Sequence, residues 1–282
     1  MAMGRDIRLD GRVALVTGAA RGLGREMGLG LARAGASVVF ADVDGAALDD
    51  LAREDAFREH GARVATTICD ISREADCVAA VGRVVETFGR LDILVNNAGR
   101  GPNHVADSTR TKSLKFWEAD PERWAQVIAT NVTGTYFMSR AATPGMIARG
   151  DGRVVNITTS LPTMQRKADS PYGVSKVAIE TETLIWAQDL EGTGVTVNTL
   201  IPGGAADTDF VSPSTREAAR AGKSVLLPAS VMVPPLLWLA SDHSRGVTGA
   251  RFVGKLWDVA APFALAAERA REAPVLRPPD RP

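Results

Sequence analysis

Cysteine is scarce: Cys69 and Cys77 are the only two in 282 residues. Two thiols cannot build a disulfide framework, and unpaired thiols suit a reducing compartment. His60, His104 and His243 are scattered, with no H-x-x-x-H or Cys/His spacing, so no metal site is expected. Aromatic residues make up 5% of the chain, which leaves the core to aliphatic side chains and alanine. Neither sign of charge is in excess, with 33 Lys plus Arg against 33 Asp plus Glu. That balance argues against a basic nucleic-acid surface and against an acidic tail. Long apolar runs are missing too. The densest stretch, 231–240, is short and interrupted by Pro234 and Pro235, so no membrane span is expected. The opening MAMGRDIRLDGR is too polar for a signal peptide. Together these features predict a cytoplasmic protein without nucleic acid or membrane partners.

What is present is a regular alternation. Short apolar runs at 12–16, 37–41, 63–68, 91–95, 154–158 and 195–200 alternate with helical patterns such as 23–34, 72–88 and 172–190. A charged helical pattern also runs from the second apolar segment to His60-Gly61. The runs are apolar throughout rather than at every second position, as expected for strands buried on both faces of a parallel sheet. The predicted class is α/β, a doubly wound parallel sheet flanked by helices on both faces. No repeat or linker divides the chain. One domain is expected over 1–262, with 263–282 a C-terminal extension that ends in the Pro-rich and partly mobile APVLRPPDRP.

Two constellations carry chemistry. Thr17, Gly18, Arg21, Gly22, Leu23 and Gly24 lie between the first strand and the first helix, in the spacing Gly-x-x-x-Gly-x-Gly. Glycines there allow a tight turn and close approach of backbone to a pyrophosphate, and the helix N-terminus offers free N–H groups to the anion. Asp42 ends the second strand, 18 residues after Gly24. A carboxylate there accepts from adenosine ribose hydroxyls and repels a 2′-phosphate, which points to NAD. Arg21 pulls the other way, toward NADP; the bland reading of Asp42 is a strand-end turn residue beside Asp44-Gly45. The second constellation is Tyr172 and Lys176, four apart on one helix face, with Ser170 as N-cap and Pro171 in the first turn. A cation beside a phenol lowers its pKa and makes an acid/base for an alcohol or carbonyl oxygen.

With these motifs in order, the chain resembles the short-chain dehydrogenase/reductase family, in its single-domain, Rossmann-type branch. The resemblance runs over about 9–255. TGAARGLG at 17–24 resembles the coenzyme loop, Asn96-Asn97-Ala98-Gly99 the NNAG motif, and Asn131 in NVTG the active-site Asn. Tyr172 and Lys176 match YxxxK, and Pro202-Gly203 the PG motif. The resemblance implies an oxidoreductase passing a hydride between NAD(H) and a secondary alcohol or ketone. Tyr172 would be the general acid/base, Lys176 would hold the nicotinamide ribose, and Asn131 would hold a water in a proton relay. Asp42 and Val43 would flank the adenosine, Asp70 and Ile71 the adenine, and Asn97 the ribose, with Ala98 and Gly99 beside it. Pro202, Gly203 and Thr208 would line the nicotinamide. A homodimer or homotetramer is implied by analogy. An inert nucleotide-sensing scaffold is the reading from another class, and the joint presence of Tyr172, Lys176 and Asn131 argues against it.

Two departures from the family pattern stand out. The hydroxyl that polarises the substrate oxygen falls on Thr159 when counted 13 back from Tyr172 and on Ser160 when counted 12 back. The segment 100–118 is longer than the family's and carries Arg110, Lys112, Lys115, Phe116 and Trp117. It is either a lid over the active-site mouth or a solvated surface excursion. Downstream, the polar 205–223 stretch is the expected mobile loop over the substrate, and Lys255 stands where a Gly-rich turn is more usual.

Overall fold

The computed structural model describes residues 7–105, 115–211 and 213–275. Residues 106–114, which include Arg110 and Lys112, lie outside it, as do 276–282. Among the described residues, eight strands form one sheet: β1 Val13–Thr17, β2 Ser37–Asp42, β3 Val64–Ile68, β4 Ile93–Asn96, β5 Gly152–Ile157, β6 Val195–Ile201, β7 Arg251–Val253 and β8 Arg271–Glu272. Their order is β3-β2-β1-β4-β5-β6-β7-β8. All neighbours from β3 to β7 are parallel, and β8 runs antiparallel to β7.

The apolar runs are explained by the pleat. Successive side chains of β1 point to opposite faces, and both faces are covered. Ala14 and Val16 join one core layer with Leu29, Phe40, Leu236 and Trp238. Val13 and Leu15 join the other with Leu94, Met138, Val154 and Val197. The edge strand β3 is only half-buried, and Ile68 at its end is exposed.

The helices, in chain order, are α1 Gly22–Arg33, α2 Gly45–Arg53, α3 Asp55–Arg58, α4 Glu74–Phe88, α5 Pro121–Ile128, α6 Thr135–Arg149, α7 Leu161–Met164, α8 Tyr172–Asp189, α9 Pro213–Arg220, α10 Val233–Ala240 and α11 Phe263–Ala270. The single helical pattern expected up to His60 is two helices, because Glu54 is extended between them at φ −67°, ψ 141°. Ser170 is not the cap of α8. Pro171 occupies that position, and Ser170 Oγ instead accepts from Trp124 Nε1 at 3.4 Å. Of the segment expected as an extension, 263–275 carries α11 and β8. Ala266, Ala267 and Ala270 of α11 are buried in the first core layer. Among the described residues no helix is long and apolar enough to cross a membrane.

Strand order reverses between β1 and β4. Connections leave these neighbours toward opposite sides of the sheet, so a crevice opens at their carboxyl ends.

Candidate active site

The crevice is floored by the loop from β1 to α1. Thr17 Oγ1 accepts from the amides of Asn97 and Ala98, both at 3.1 Å. Asn97 Nδ2 returns two bonds, to Thr17 O and Gly18 O, both at 2.9 Å. The loop and the end of β4 are thereby pressed together. A Cβ on Gly24 would lie 2.2 Å from Gly18 O, and one on Gly18 would lie 2.7 Å from Ala98 Cα. Only glycine fits at either place. No side chain caps α1, and its first turn holds no acidic residue. Its first N–H groups therefore lack a side-chain acceptor and face the crevice mouth, which is the donor set a pyrophosphate requires. These residues fit a dinucleotide.

At the end of β2, Asp42 accepts from the amides of Ala20 and Asp44, each at 3.1 Å. Arg21 does not stand free beside it, because its guanidinium forms an ion pair with Asp44. Val43 is 60% exposed at the same edge. The Asp70 carboxylate is taken by Ser72, whose amide and hydroxyl donate to it at 3.0 and 2.7 Å. Ile71 is buried against the backbone around Gly134. The Asp70 carboxylate and the Ile71 side chain are thus both engaged by neighbouring residues.

Across the crevice, Thr208 Cγ2 would lie 3.2 Å from a Cβ on Gly22, so the loop after β6 reaches the phosphate loop. Pro202 O accepts from the Lys255 amide at 3.1 Å. Gly203, at φ +85°, is wedged against Val253 and the Lys255 stem. Lys255 therefore braces the Pro202-Gly203 turn through its backbone where the family pattern has glycine.

The second wall is built from β5, α8 and an irregular turn. Ala129–Gly134 is a π-helical turn joining α5 to α6, a form often found at functional sites. It turns Asn131 inward, where Oδ1 accepts from the Arg100 amide at 2.7 Å. Asn131 Nδ2 donates to Arg100 O at 3.0 Å and to Ser175 Oγ at 2.9 Å. These bonds engage the side-chain amide in holding the stretch after Gly99 against α8.

Tyr172 opens α8 and is 7% exposed. Burial pushes its phenol up to about 12, while a hydrogen bond with the Thr159 side chain pulls the other way. Lys176, one turn on, is brought down to about 8 by burial, with Glu180 opposing. Its Nζ donates to Ile157 O at 2.9 Å and lies 5.9 Å from the Tyr172 ring centroid. A Cβ on Gly99 would lie 3.6 Å from that Nζ, so the ammonium sits at the crevice floor. The acidified phenol expected from the Tyr-Lys pair is not what this geometry gives. Burial is the largest influence on the phenol, and Tyr172 carries its proton at neutral pH.

Of the two candidate hydroxyls, the Thr159 side chain acts to lower the Tyr172 pKa. Ser160 Oγ is 3.0 Å from Thr163 Oγ1, at the start of α7. Sequence reasoning missed Phe210, whose ring stands 5.6 Å from that of Tyr172. It also missed Ser175, Thr158, Glu180 and Arg251. A signal existed for the last two. Glu180 falls four residues after Lys176, and Arg251 is a charge inside a short apolar strand.

The short chain dehydrogenase family model matches residues 12–219. The chain is 31% identical over 252 residues to the 3-oxoacyl-(acyl-carrier-protein) reductase of Thermotoga maritima, covering 86% of this chain and 96% of that protein. It is 37% identical over 198 residues to the L-tagatose-forming galactitol 2-dehydrogenase of Cereibacter sphaeroides, covering 70% and 72% respectively. Among solved structures it superposes on the 3-ketoacyl-(acyl-carrier-protein) reductase of Brucella melitensis complexed with NADH. The TM-score is 0.74 at 29% identity, over 86% of this chain and 96% of that one.

Proposed function

Because the chain belongs to the short-chain dehydrogenase/reductase family, whose members exchange a hydride between a nicotinamide cofactor and an alcohol or ketone, we propose that it is an NAD-dependent dehydrogenase of secondary alcohols or reductase of the matching ketones, with Tyr172 as its acid/base. The observation that carries this reading is the bond from Lys176 Nζ to Ile157 O at 2.9 Å, which holds the ammonium 5.9 Å from the Tyr172 ring centroid. It joins two residues from different elements at the carboxyl end of the sheet, beside a loop shaped for pyrophosphate.

A bound dinucleotide supplies the hydride chemistry. The chain's own residues do the rest. The free N–H groups of α1, with Gly18, Gly22, Leu23 and Gly24, cradle the pyrophosphate. Asp42 and Val43 receive the adenosine, and the turn at Asp70-Ile71 shapes the adenine wall. Thr17, Asn97, Ala98 and Gly99 hold the floor. Lys176 would hold the nicotinamide ribose, and Pro202, Gly203 and Thr208 would line the ring. Thr159 donates to the substrate oxygen, and Tyr172 delivers or removes the proton on that oxygen. Asn131 keeps the floor in register with α8. At neutral pH Tyr172 holds its proton, which is the form that reduction needs; oxidation needs the phenolate and is favoured as pH rises.

NAD is preferred over NADP because Asp44 neutralises Arg21, while Asp42 opposes a 2′-phosphate. The experiment is a comparison of wild type and Tyr172→Phe. Both are titrated with NADH and NADPH by fluorescence, and both are assayed with galactitol, with acetoacetyl thioesters and with a panel of cyclic ketones. Tyr172→Phe should bind NADH as the wild type does and lose about 10²–10⁴-fold in turnover. A variant that keeps its rate would refute the acid/base role. NADPH binding tighter than NADH would transfer the selection to Arg21.

A further inference from the structure

Beneath the cleft lies a buried polar group that the reaction described above does not use. Arg251 on β7 and Glu180 on α8 form an ion pair with side chains only 2% and 3% exposed. Arg251 Nη2 also donates to Thr159 O at 3.0 Å, and its Nε donates to the Glu272 carboxylate of β8 at 2.9 Å. Glu180 Oε1 accepts from Thr158 Oγ1 at 2.5 Å. Three consecutive residues at the end of β5 are thus each held by a buried charged side chain. Lys176 takes Ile157 O, Glu180 takes the Thr158 hydroxyl, and Arg251 takes Thr159 O. Thr159 lies past the last residue of β5 paired with β6, so its carbonyl has no place in the ladder and needs another donor.

A buried ion pair is a poor source of stability, since an apolar pair of the same shape often does as well. What an apolar pair cannot do is reach three acceptors in fixed directions. A planar guanidinium with five donors can, and a lysine in its place cannot. The outer acceptor, Glu272, belongs to the C-terminal segment, so Arg251 links that segment to the turn that carries Thr159.

We propose that Arg251, oriented by Glu180 and Glu272, is a positioning residue that fixes the main chain at Thr159 and thereby the placement of its hydroxyl against Tyr172. This rests on the assignment of Thr159 and Tyr172 as the proton-handling pair. The charges around the group are Lys176 and Glu180 on α8, Arg251 on β7 and Glu272 on β8, with Asp169 and Arg166 facing Tyr172 from the turn before α8. The pair keeps this interior close to neutral while the guanidinium aims its donors.

The test compares Arg251→Lys and Glu272→Gln with the wild type. Glu272 is half-exposed, so its variant folds even where Arg251→Lys does not. Amide exchange is followed in the protein without cofactor, in the peptides spanning β5 to α7 and those of β1 and β2. Turnover is measured on the substrate of the panel above that the wild type accepts, together with NADH affinity. Exchange at 158–160 should rise severalfold in both variants while β1 and β2 stay protected. The kcat of Arg251→Lys should fall about 10- to 100-fold, with the smaller loss in Glu272→Gln and with KM and NADH affinity kept. Unchanged exchange and kcat in Glu272→Gln, or a loss of NADH affinity that parallels kcat, would overturn the proposal. A wild type inactive on the whole panel would instead undermine the assigned reaction, and the exchange data would still decide the role of Arg251.

Discussion

Lys176 shows how one buried side chain ties stability to function. Its folded pKa, about 8, lies below the ordinary lysine value because burial disfavours the ammonium. Below pH 8 both folded and unfolded chains hold the proton, and the full desolvation penalty is present. Between about 8 and 10.5 the unfolded chain binds more protons than the folded one, so stability rises with pH across that window. Lys176→Met should therefore stabilise the protein at pH 7 by roughly 1–3 kcal/mol, net of the lost bond to Ile157 O. That advantage should shrink as pH approaches 10, while turnover is abolished at every pH. Thermal melts of both proteins at pH 7 and pH 9.5 check this. A variant less stable at pH 7 would mean that the ammonium is better solvated than its burial implies.

At the scale of elements, α1 and the turn that precedes it act as one device. The helix begins without a capping side chain, so its orphan N–H groups are left for a ligand and the uncapped end is less stable than a capped one. The turn is held from below by Thr17 and Asn97, which is why the Asn96–Gly99 stretch and the glycine loop act as a unit. A methyl on Gly24 would strike Gly18 O at 2.2 Å. Gly24→Ala should therefore push α1 away from β1, lower stability by about 1–3 kcal/mol and weaken NADH binding at least tenfold. Calorimetry with and without NADH separates the two effects. Unaltered NADH affinity would mean that the pyrophosphate lies elsewhere. The π-helical turn at Ala129–Gly134 works similarly on the other wall. It breaks the α-helical ladder between α5 and α6 in order to aim Asn131 at Arg100 and Ser175.

At the scale of the molecule, the sheet is closed at its far edge by the C-terminal segment. α11 buries three alanines in the core layer that contains Trp238 and Phe252, and β8 covers part of β7. A chain ending at residue 262 exposes that layer and removes Glu272 from Arg251. Its melting temperature should fall by several degrees or more, and its kcat should fall further than that of Glu272→Gln. Wild-type activity in the truncated chain would separate the segment from the site.

Much of this was legible in the residues themselves. Uninterrupted apolar runs such as VALVT required burial on both faces and so a parallel sheet. The glycines of 17–24 required a turn too tight for side chains, and the four-residue spacing of Tyr172 and Lys176 put both on one helix face. These are local constraints, set by backbone sterics and helical period. What only the tertiary structure decided were matters of distance between segments far apart in the chain. Where Thr159 and Ser160 come to lie relative to Tyr172 depends on how the turn after β5 meets the start of α8. The high pKa of Tyr172 depends on how much protein surrounds it, which outweighs the pattern that predicted a lowered one. The ion pair of Arg21 with Asp44 depends on the turn after β2. Arg251 could be read in the sequence only as an anomaly inside a strand, because its partners at 159, 180 and 272 come together only when β5, α8 and the C-terminal strand pack around one buried charge.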